Sequence, residues 1–151
     1  MTKVLFVCLG NICRSPLAEA IFNHECEKES IKNTYADSAG TGAYHVGDQP
    51  DPRTIKVARK NGVPINHKAR QFQPEDCDHF DYIFALDSSN YENIIQIAGK
   101  QPDNLYMLRE FDIDKNGIDV PDPYYGGTDG FDLIFAMMSQ SINGFIRTKL
   151  N

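Results

Sequence analysis

The sequence predicts a single-domain α/β fold in which helices cover both faces of a mostly parallel sheet. The 151-residue chain has the length of one domain. Strand-like apolar runs alternate along it with segments of helical periodicity. The first run, Val4–Val7, is uniformly apolar, as is typical of a strand that is buried on both faces. Ligands of such sheets bind beyond the carboxyl ends of the strands.

The first half of the chain contains two strand–helix pairs. After the first strand, Pro16 stands where proline is tolerated in the first turn of a helix, so we expect a helix from about this residue. Residues 33–39 form a weaker second strand. A loop rich in glycine and proline then leads into a helix that begins at Asp51 or Pro52 and ends at Lys60.

The second half contains two further strands, a helix between them and a long terminal helix. The segment Asp87–Asn90 supplies N-cap candidates for the first of these helices, which runs to about Ile97. The predicted strands are residues 80–86 and 105–108. A long loop is predicted over residues 109–127. The last helix begins between residues 127 and 132 and continues to residue 148.

Composition and charge limit the classes of function. With 41% hydrophobic and 24% charged residues, the sequence is typical of a globular protein. Its formal charge of −6 argues against non-specific nucleic-acid binding, which usually requires clustered Lys and Arg. No apolar run approaches ~18 residues and the amino terminus lacks a signal-peptide pattern, so we expect a cytoplasmic protein that does not insert into membranes.

The four cysteines form no Cys-x-x-Cys pair. In an intracellular context, free thiols are therefore a better default than disulfides or a metal site. Cys26 on the first helix and Cys77 before the third strand fit an apolar filling role. Cys8 and Cys13 lie instead in one loop, between the first strand and the first helix.

This loop has the composition of a phosphate cradle. It joins a buried strand to a helix, so successive amides can surround one anion while the helix amino terminus adds positive potential. Gly10 can adopt backbone angles that other residues resist, Asn11 tolerates the left-handed conformation, and the planar guanidinium of Arg14 can bind two phosphate oxygens. The predicted phosphate-binding loop consists of Cys8, Leu9, Gly10, Asn11, Ile12, Cys13, Arg14 and Ser15.

Cys8 is the candidate nucleophile of this loop. The positive field at the helix amino terminus favours its thiolate form, and Ser15 can donate a hydrogen bond to the sulfur. An isolated Cys and Arg at this spacing would more often be a strand end and a solvated charge. Here the spacing coincides with a buried strand, a glycine and a Ser-Pro helix start, which favours the functional interpretation.

The segment Val7–Pro16 resembles the signature of the low-molecular-weight protein tyrosine phosphatases. The resemblance extends to Asp37–Gly40, Phe80–Ile83 and Asp122–Tyr125, and therefore covers nearly the whole chain. It implies a four-stranded parallel sheet in a flavodoxin-like arrangement. It also implies a hydrolase that acts on phosphotyrosine and aryl phosphates through a phosphocysteine, without a metal or another cofactor. The implied partners are phosphotyrosine-containing proteins, and we expect a monomer or weak self-association.

The resemblance also implies a general acid far from the loop. Asp122 stands between Pro121 and Pro123, where the backbone is restricted. Taken alone, Pro-Asp-Pro indicates only a turn. By resemblance, Asp122 protonates the leaving oxygen and then activates water.

Three further groups of roles are predicted around these residues. By resemblance, the walls of the substrate pocket are Leu9, Tyr44, Tyr124 and Tyr125. A hydrogen-bond network that shapes the loop is implied for Asn11, Ser15, Ser38 and His67. Because Cys13 lies in the same loop as Cys8, an oxidised Cys8 can form a disulfide with it and escape irreversible oxidation.

Two alternatives remain open at the level of sequence. A thiol-dependent arsenate reductase uses a similar Cys-to-Arg loop, but it needs further downstream cysteines, and this chain offers only Cys77 beyond Cys26. A phosphate-binding module or phosphocysteine carrier without turnover is the non-enzymatic alternative. Among substrates, a small aryl phosphate or protein phosphoarginine is also compatible with the loop.

Overall fold

The computed structural model describes residues 1–112, 119–124, 126 and 128–150, in which strands and helices alternate. A 3₁₀-helix, Leu108–Phe111, follows the last strand, and a π-helical segment, Ile146–Leu150, continues the last α-helix. The other elements are β1 (Thr2–Cys8), α1 (Arg14–Lys28), β2 (Thr34–Gly40), α2 (Pro52–Lys60), α3 (Asp76–His79), β3 (Tyr82–Ala85), α4 (Ser88–Ala98), β4 (Leu105–Met107) and α5 (Thr128–Phe145).

The four strands form one parallel sheet in the order β2-β1-β3-β4. Strand β1 is central, and its Leu5 lies opposite Asp37 of β2 and Ile83 of β3. The strand order reverses at β1, so a crevice is expected beyond the carboxyl end of this strand. Cys8 is the last residue of β1 and therefore lies at that crevice. The predicted four-stranded parallel sheet is confirmed.

Alternate residues of β1 belong to the two cores that cover the sheet, as the twofold period of a strand requires. Val4 and Phe6 pack in the core built by α1, α2 and α5. Leu5 and Val7 pack in the core on the side of α4. All four side chains are fully buried, so β1 fixes the start of the following loop firmly.

The predicted helices differ from the structure mainly at their ends. Helix α1 begins at Arg14 rather than at Pro16, because the loop already turns into helical geometry there without a side-chain cap. The four-residue helix α3 was not predicted, since one turn is too short to show a helical period. The 3₁₀-helix lies where a loop was predicted; the Glu110 carboxylate accepts a hydrogen bond from the Met107 amide at its start. None of the described helices combines the length and the apolarity needed to cross a membrane.

Candidate active site

The segment after β2 holds the predicted phosphate-binding loop in shape. The amides of Thr41 and Gly42 donate to the carbonyls of Cys8 and Leu9, both at 2.9 Å. A side chain at Gly40 would place its Cβ 2.7 Å from the Leu9 carbonyl oxygen, so only glycine allows this approach. The loop is thus fixed on one side by backbone contacts alone.

The turn of the loop depends on Asn11 rather than on Gly10. Asn11 has a left-handed backbone with φ of 58°, as its residue type allows. The expectation that Gly10 adopts such angles is wrong, because its φ does not lie in that region. A Cβ at Gly10 would instead lie 3.1 Å from the ring of His45, so the glycine leaves room for that ring.

The Cys8 sulfur receives hydrogen bonds suited to a thiolate. It is 3% exposed, and the Asn11 amide donates to it at 3.3 Å. Ser15 Oγ lies 2.9 Å away and accepts a hydrogen bond from Asn11 Nδ2 at 2.7 Å. The other acceptor within reach of the Ser15 proton, the carbonyl of Ala39, is 3.5 Å distant. The proton is therefore directed to the nearer sulfur.

The four residues of the predicted network are in contact. Asn11 Nδ2 donates to the hydroxyls of Ser15 and Ser38, at 2.7 and 3.0 Å. Its Oδ1 lies 2.7 Å from His67 Nε2 and accepts from the Arg70 amide at 3.0 Å. The side-chain amide of Asn11 therefore uses both donor hydrogens and both acceptor positions, which fixes the residue that turns the loop.

Arg14 is held by one of its terminal nitrogens. Nη1 donates to Asp87 Oδ2 at 2.7 Å and to the Val120 carbonyl at 2.8 Å. Burial opposes the charged guanidinium, but the charge of Cys8, the hydrogen bond to Asp87 and the charges of Asp87 and Asp122 outweigh it and raise the pKa of Arg14. The predicted N-cap role of Asp87 is present as well, because its Oδ1 accepts from the Asn90 amide at 2.7 Å. The ion pair with Arg14 is an additional role.

Asp122 lies across a cleft from Cys8. Its Oδ2 is 3.7 Å from Arg14 Nη2, and its side chain is 43% exposed. Its Oδ1 accepts from the Tyr124 amide at 3.0 Å. The cleft has a volume of about 460 Å³, and Cys8, Arg14 and Asp122 all line it. One open cleft is therefore lined by a thiol, a guanidinium and an exposed carboxyl group.

Three of the four predicted wall residues line this cleft: Leu9, Tyr44 and Tyr124. Tyr125 lies outside the described residues. His45 is a wall residue that the sequence did not indicate, and its ring lies 6.4 Å from that of Tyr124, centroid to centroid. Aromatic and apolar side chains thus surround the entrance above the loop.

Comparison with known proteins agrees with this geometry. A family model described as low molecular weight phosphotyrosine protein phosphatase matches residues 3–151. The chain is 46% identical to the enzyme of that name from Schizosaccharomyces pombe, over 98% of this chain and 99% of that protein. The chain belongs to this phosphatase family.

Solved structures of the phosphatase family have the same fold. A protein tyrosine phosphatase from Entamoeba histolytica superimposes with a TM-score of 0.93 at 36% identity, covering 97% of this chain and 96% of that one. A Drosophila arginine phosphatase superimposes with a TM-score of 0.90 at 34% identity, over 97% and 96% of the two chains. The flavodoxin-like arrangement predicted from the sequence is confirmed.

The phosphatase surrounds its loop network with charged residues whose role the sequence alone did not indicate. Glu19 Oε1 accepts from Ser38 at 2.8 Å and lies 3.2 Å from His67 Nδ1. Arg70 pairs with Asp37 at 3.0 Å, and Asp37 lies 3.8 Å from the same ring nitrogen. Asp37 belongs to the segment Asp37–Gly40, which carries part of the family resemblance, so the sequence did contain a signal that could have pointed to it. Glu19 and Arg70 gave none, because their contacts with the network residues Ser38, His67 and Asn11 join parts of the chain that are far apart in sequence.

The surroundings of Cys13 favour the protonated form of its thiol. Burial, together with the charges of Asp51 and Cys8, raises the pKa of Cys13 to about 12. Cys13 therefore remains a protonated thiol at neutral pH, next to the candidate nucleophile and inside the same cleft.

Proposed function

We propose that this phosphatase hydrolyses phosphotyrosine in proteins through a phosphocysteine, with Cys8 as nucleophile, Arg14 as phosphate ligand and Asp122 as general acid and base. The observation that carries the proposal is the cleft that all three side chains line. Its floor is a strand-to-helix loop whose amide and hydroxyl groups converge on the Cys8 sulfur.

In the first step, the Cys8 thiolate attacks phosphorus and forms the S–P bond as the bond to the phenolic oxygen breaks. Asp122, once protonated, gives its proton to that oxygen. Arg14 Nη1 is occupied by Asp87 and Val120, which leaves Nε and Nη2 for two phosphoryl oxygens. Together with the loop amides, these donors stabilise the charge that develops in the transition state, at about 3 kcal/mol per donor.

In the second step, the Asp122 carboxylate takes a proton from water. The water oxygen bonds to phosphorus, the S–P bond breaks, and Cys8 leaves as a thiolate. Inorganic phosphate is released and Asp122 is again protonated, so the cycle closes without another reactant.

The cleft walls favour an aromatic substrate. Tyr44 and Tyr124 stand at its entrance, where their rings can flank the ring of a phosphotyrosine held over the loop. The shorter phosphoserine would lack this contact. Turnover requires a reduced Cys8, so we expect the protein to act on phosphoproteins in a reducing compartment.

The substrate class is tested by initial rates on peptides that carry phosphotyrosine, phosphoserine or phosphoarginine, measured with a metal chelator present. We expect phosphotyrosine to have the highest kcat/KM and the chelator to have no effect. A higher kcat/KM on phosphoarginine would contradict the proposed substrate and would align this chain with the Drosophila arginine phosphatase. Preference for phosphoserine would contradict the role of the cleft walls.

We also propose that Cys13 protects Cys8 from irreversible oxidation. Peroxide converts the Cys8 thiolate to a sulfenic acid, and the Cys13 thiol then forms a disulfide with it as water leaves. Because the pKa of Cys13 is about 12, disulfide closure should become faster as pH rises.

The expected result is that a thiol reductant restores activity to the peroxide-treated wild type but not to Cys13→Ser. The measurement is the recovered activity after a matched peroxide exposure. Cys77→Ser is the control, because Cys77 lies outside the cleft and should recover like the wild type. Equal recovery of Cys13→Ser and wild type would rule out the protective disulfide.

A further inference from the structure

Arg53 connects the phosphate-binding loop to the loop that carries Asp122. It lies in the first turn of α2. It contacts Asp51, which is hydrogen-bonded to the phosphate-binding loop, and Gly126, which belongs to the turn after Asp122. We propose that Arg53 is a positioning residue that holds the Asp122 carboxyl group over the phosphate-binding loop. The proposal rests on the proposed function, because it assumes that Asp122 is the general acid.

On its inner side, Arg53 is fixed by Asp51. Its Nε donates to Oδ1 at 3.0 Å and its Nη2 to Oδ2 at 2.9 Å, which is a two-point pairing of the guanidinium with the carboxylate. The side chain of Asp51 is 9% exposed, and the hydrogen bond from Arg53 lowers its pKa despite burial. Asp51 is in turn joined to the phosphate-binding loop, because its amide donates to the Ile12 carbonyl at 2.8 Å.

On its outer side, Arg53 contacts the turn that follows Asp122. Its Nη1 donates to the Gly126 carbonyl at 3.3 Å, and its guanidinium carbon lies 5.6 Å from the centre of the Tyr124 ring. The same guanidinium lies 4.8 Å from the centre of the Phe131 ring on α5. Cation–π contacts of this kind fix the plane of an arginine as well as its position.

The contacted turn is the one that orients the acid. The Gly126 amide donates to the Pro123 carbonyl at 3.0 Å, and the Tyr124 amide donates to Asp122 Oδ1 at 3.0 Å. Arg53 therefore holds both the residue that hydrogen-bonds Asp122 and the end of its turn. Asp122 itself is exposed, so its position depends on these supports.

Such support matters for proton transfer. A general acid must come within about 2.6–3.2 Å of the oxygen that it protonates. A displacement of about 1 Å can cost up to about 100-fold in rate. Removal of Arg53 should therefore weaken protonation of the leaving group while the phosphate-binding groups stay in place.

The test compares kcat/KM for phenyl phosphate, whose leaving oxygen needs a proton, with that for p-nitrophenyl phosphate, whose leaving oxygen needs it less. We expect Arg53→Ala to lower kcat/KM for phenyl phosphate about 10-fold and to change that for p-nitrophenyl phosphate less than about 3-fold. Arg53→Lys should behave in the same way, because lysine keeps the charge but lacks the planar fork. It also serves as the test variant if Arg53→Ala does not fold.

Arg59→Ala is the matched control. It removes an exposed arginine from the same helix and should leave both rates unchanged. Equal losses on the two esters, or no loss on either, would overturn the proposal. Full activity of Arg53→Lys would overturn it as well, because charge rather than geometry would then be sufficient.

A double-mutant cycle separates this proposal from the proposed function. If Arg53 acts through Asp122, Arg53→Ala should have no further effect on phenyl phosphate in the Asp122→Asn background. A second loss of equal size there would contradict the positioning role. If the single variant Asp122→Asn loses kcat/KM by the same factor on both esters, the acid role of Asp122 is wrong. If Asp122→Asn loses more on phenyl phosphate but Arg53→Ala loses equally on both esters, the acid role stands and the positioning role of Arg53 is wrong.

Discussion

Cys8→Ser should reduce turnover by about 10⁴–10⁶-fold, the range expected when the nucleophile of a covalent mechanism is removed. Phosphate binding should persist, because Arg14 and the loop amides do not depend on the sulfur. The measurements are kcat on an aryl phosphate and the equilibrium binding of phosphate by calorimetry.

The control for this result is Cys77→Ser. Cys77 is only partly buried and lies outside the cleft, so its substitution should leave kcat near the wild-type value. Near-normal hydrolysis by Cys8→Ser would show that another group attacks phosphorus. Loss of phosphate binding in Cys8→Ser would show that the sulfur is required to form the cradle itself.

Asp122→Asn should lower kcat/KM for phosphotyrosine by about 10²–10⁴-fold, the usual contribution of a general acid. The side-chain amide can still accept the hydrogen bond from Tyr124, but its N–H groups are far too weakly acidic to transfer a proton to a phenolate. The loss should shrink for esters with better leaving groups, so we predict a steeper dependence of kcat/KM on the pKa of the leaving phenol.

Asp129→Asn provides a matched carboxyl-to-amide change. Asp129 is exposed in the first turn of α5, and its substitution should not alter the leaving-group dependence. If Asp122→Asn lowers the rates on all esters by one factor, Asp122 acts on phosphate binding and is not the acid.

The sequence allowed prediction of the features that contiguous residues encode. Val4–Val7 is uniformly apolar and became the central buried strand. The loop after Cys8 contains its own turn residue, Asn11, and the candidate phosphate ligand Arg14, which lines the cleft. Asp122 required the family resemblance, because a Pro-Asp-Pro turn has no local mark of acid chemistry.

Contacts between distant residues could not be predicted in the same way. Asp87 was explained as a helix cap, and its pairing with Arg14 depends on β1 and β3 being neighbours in the sheet. The two-sided contacts of Arg53 depend on the packing of α2 beside α5. The error at Gly10 has a related cause, since the reason for glycine there is the ring of His45, which comes from another loop.

The central claim is that the phosphoryl group passes through Cys8. The most direct measurement is rapid quenching of the enzyme in alkaline denaturant during turnover of an aryl phosphate, followed by mass spectrometry of its peptides. We predict one phosphoryl group on the peptide that contains Cys8, formed and lost at rates that account for turnover. Turnover without a phosphorylated Cys8, or with the phosphoryl group on another residue such as His67, would contradict the account.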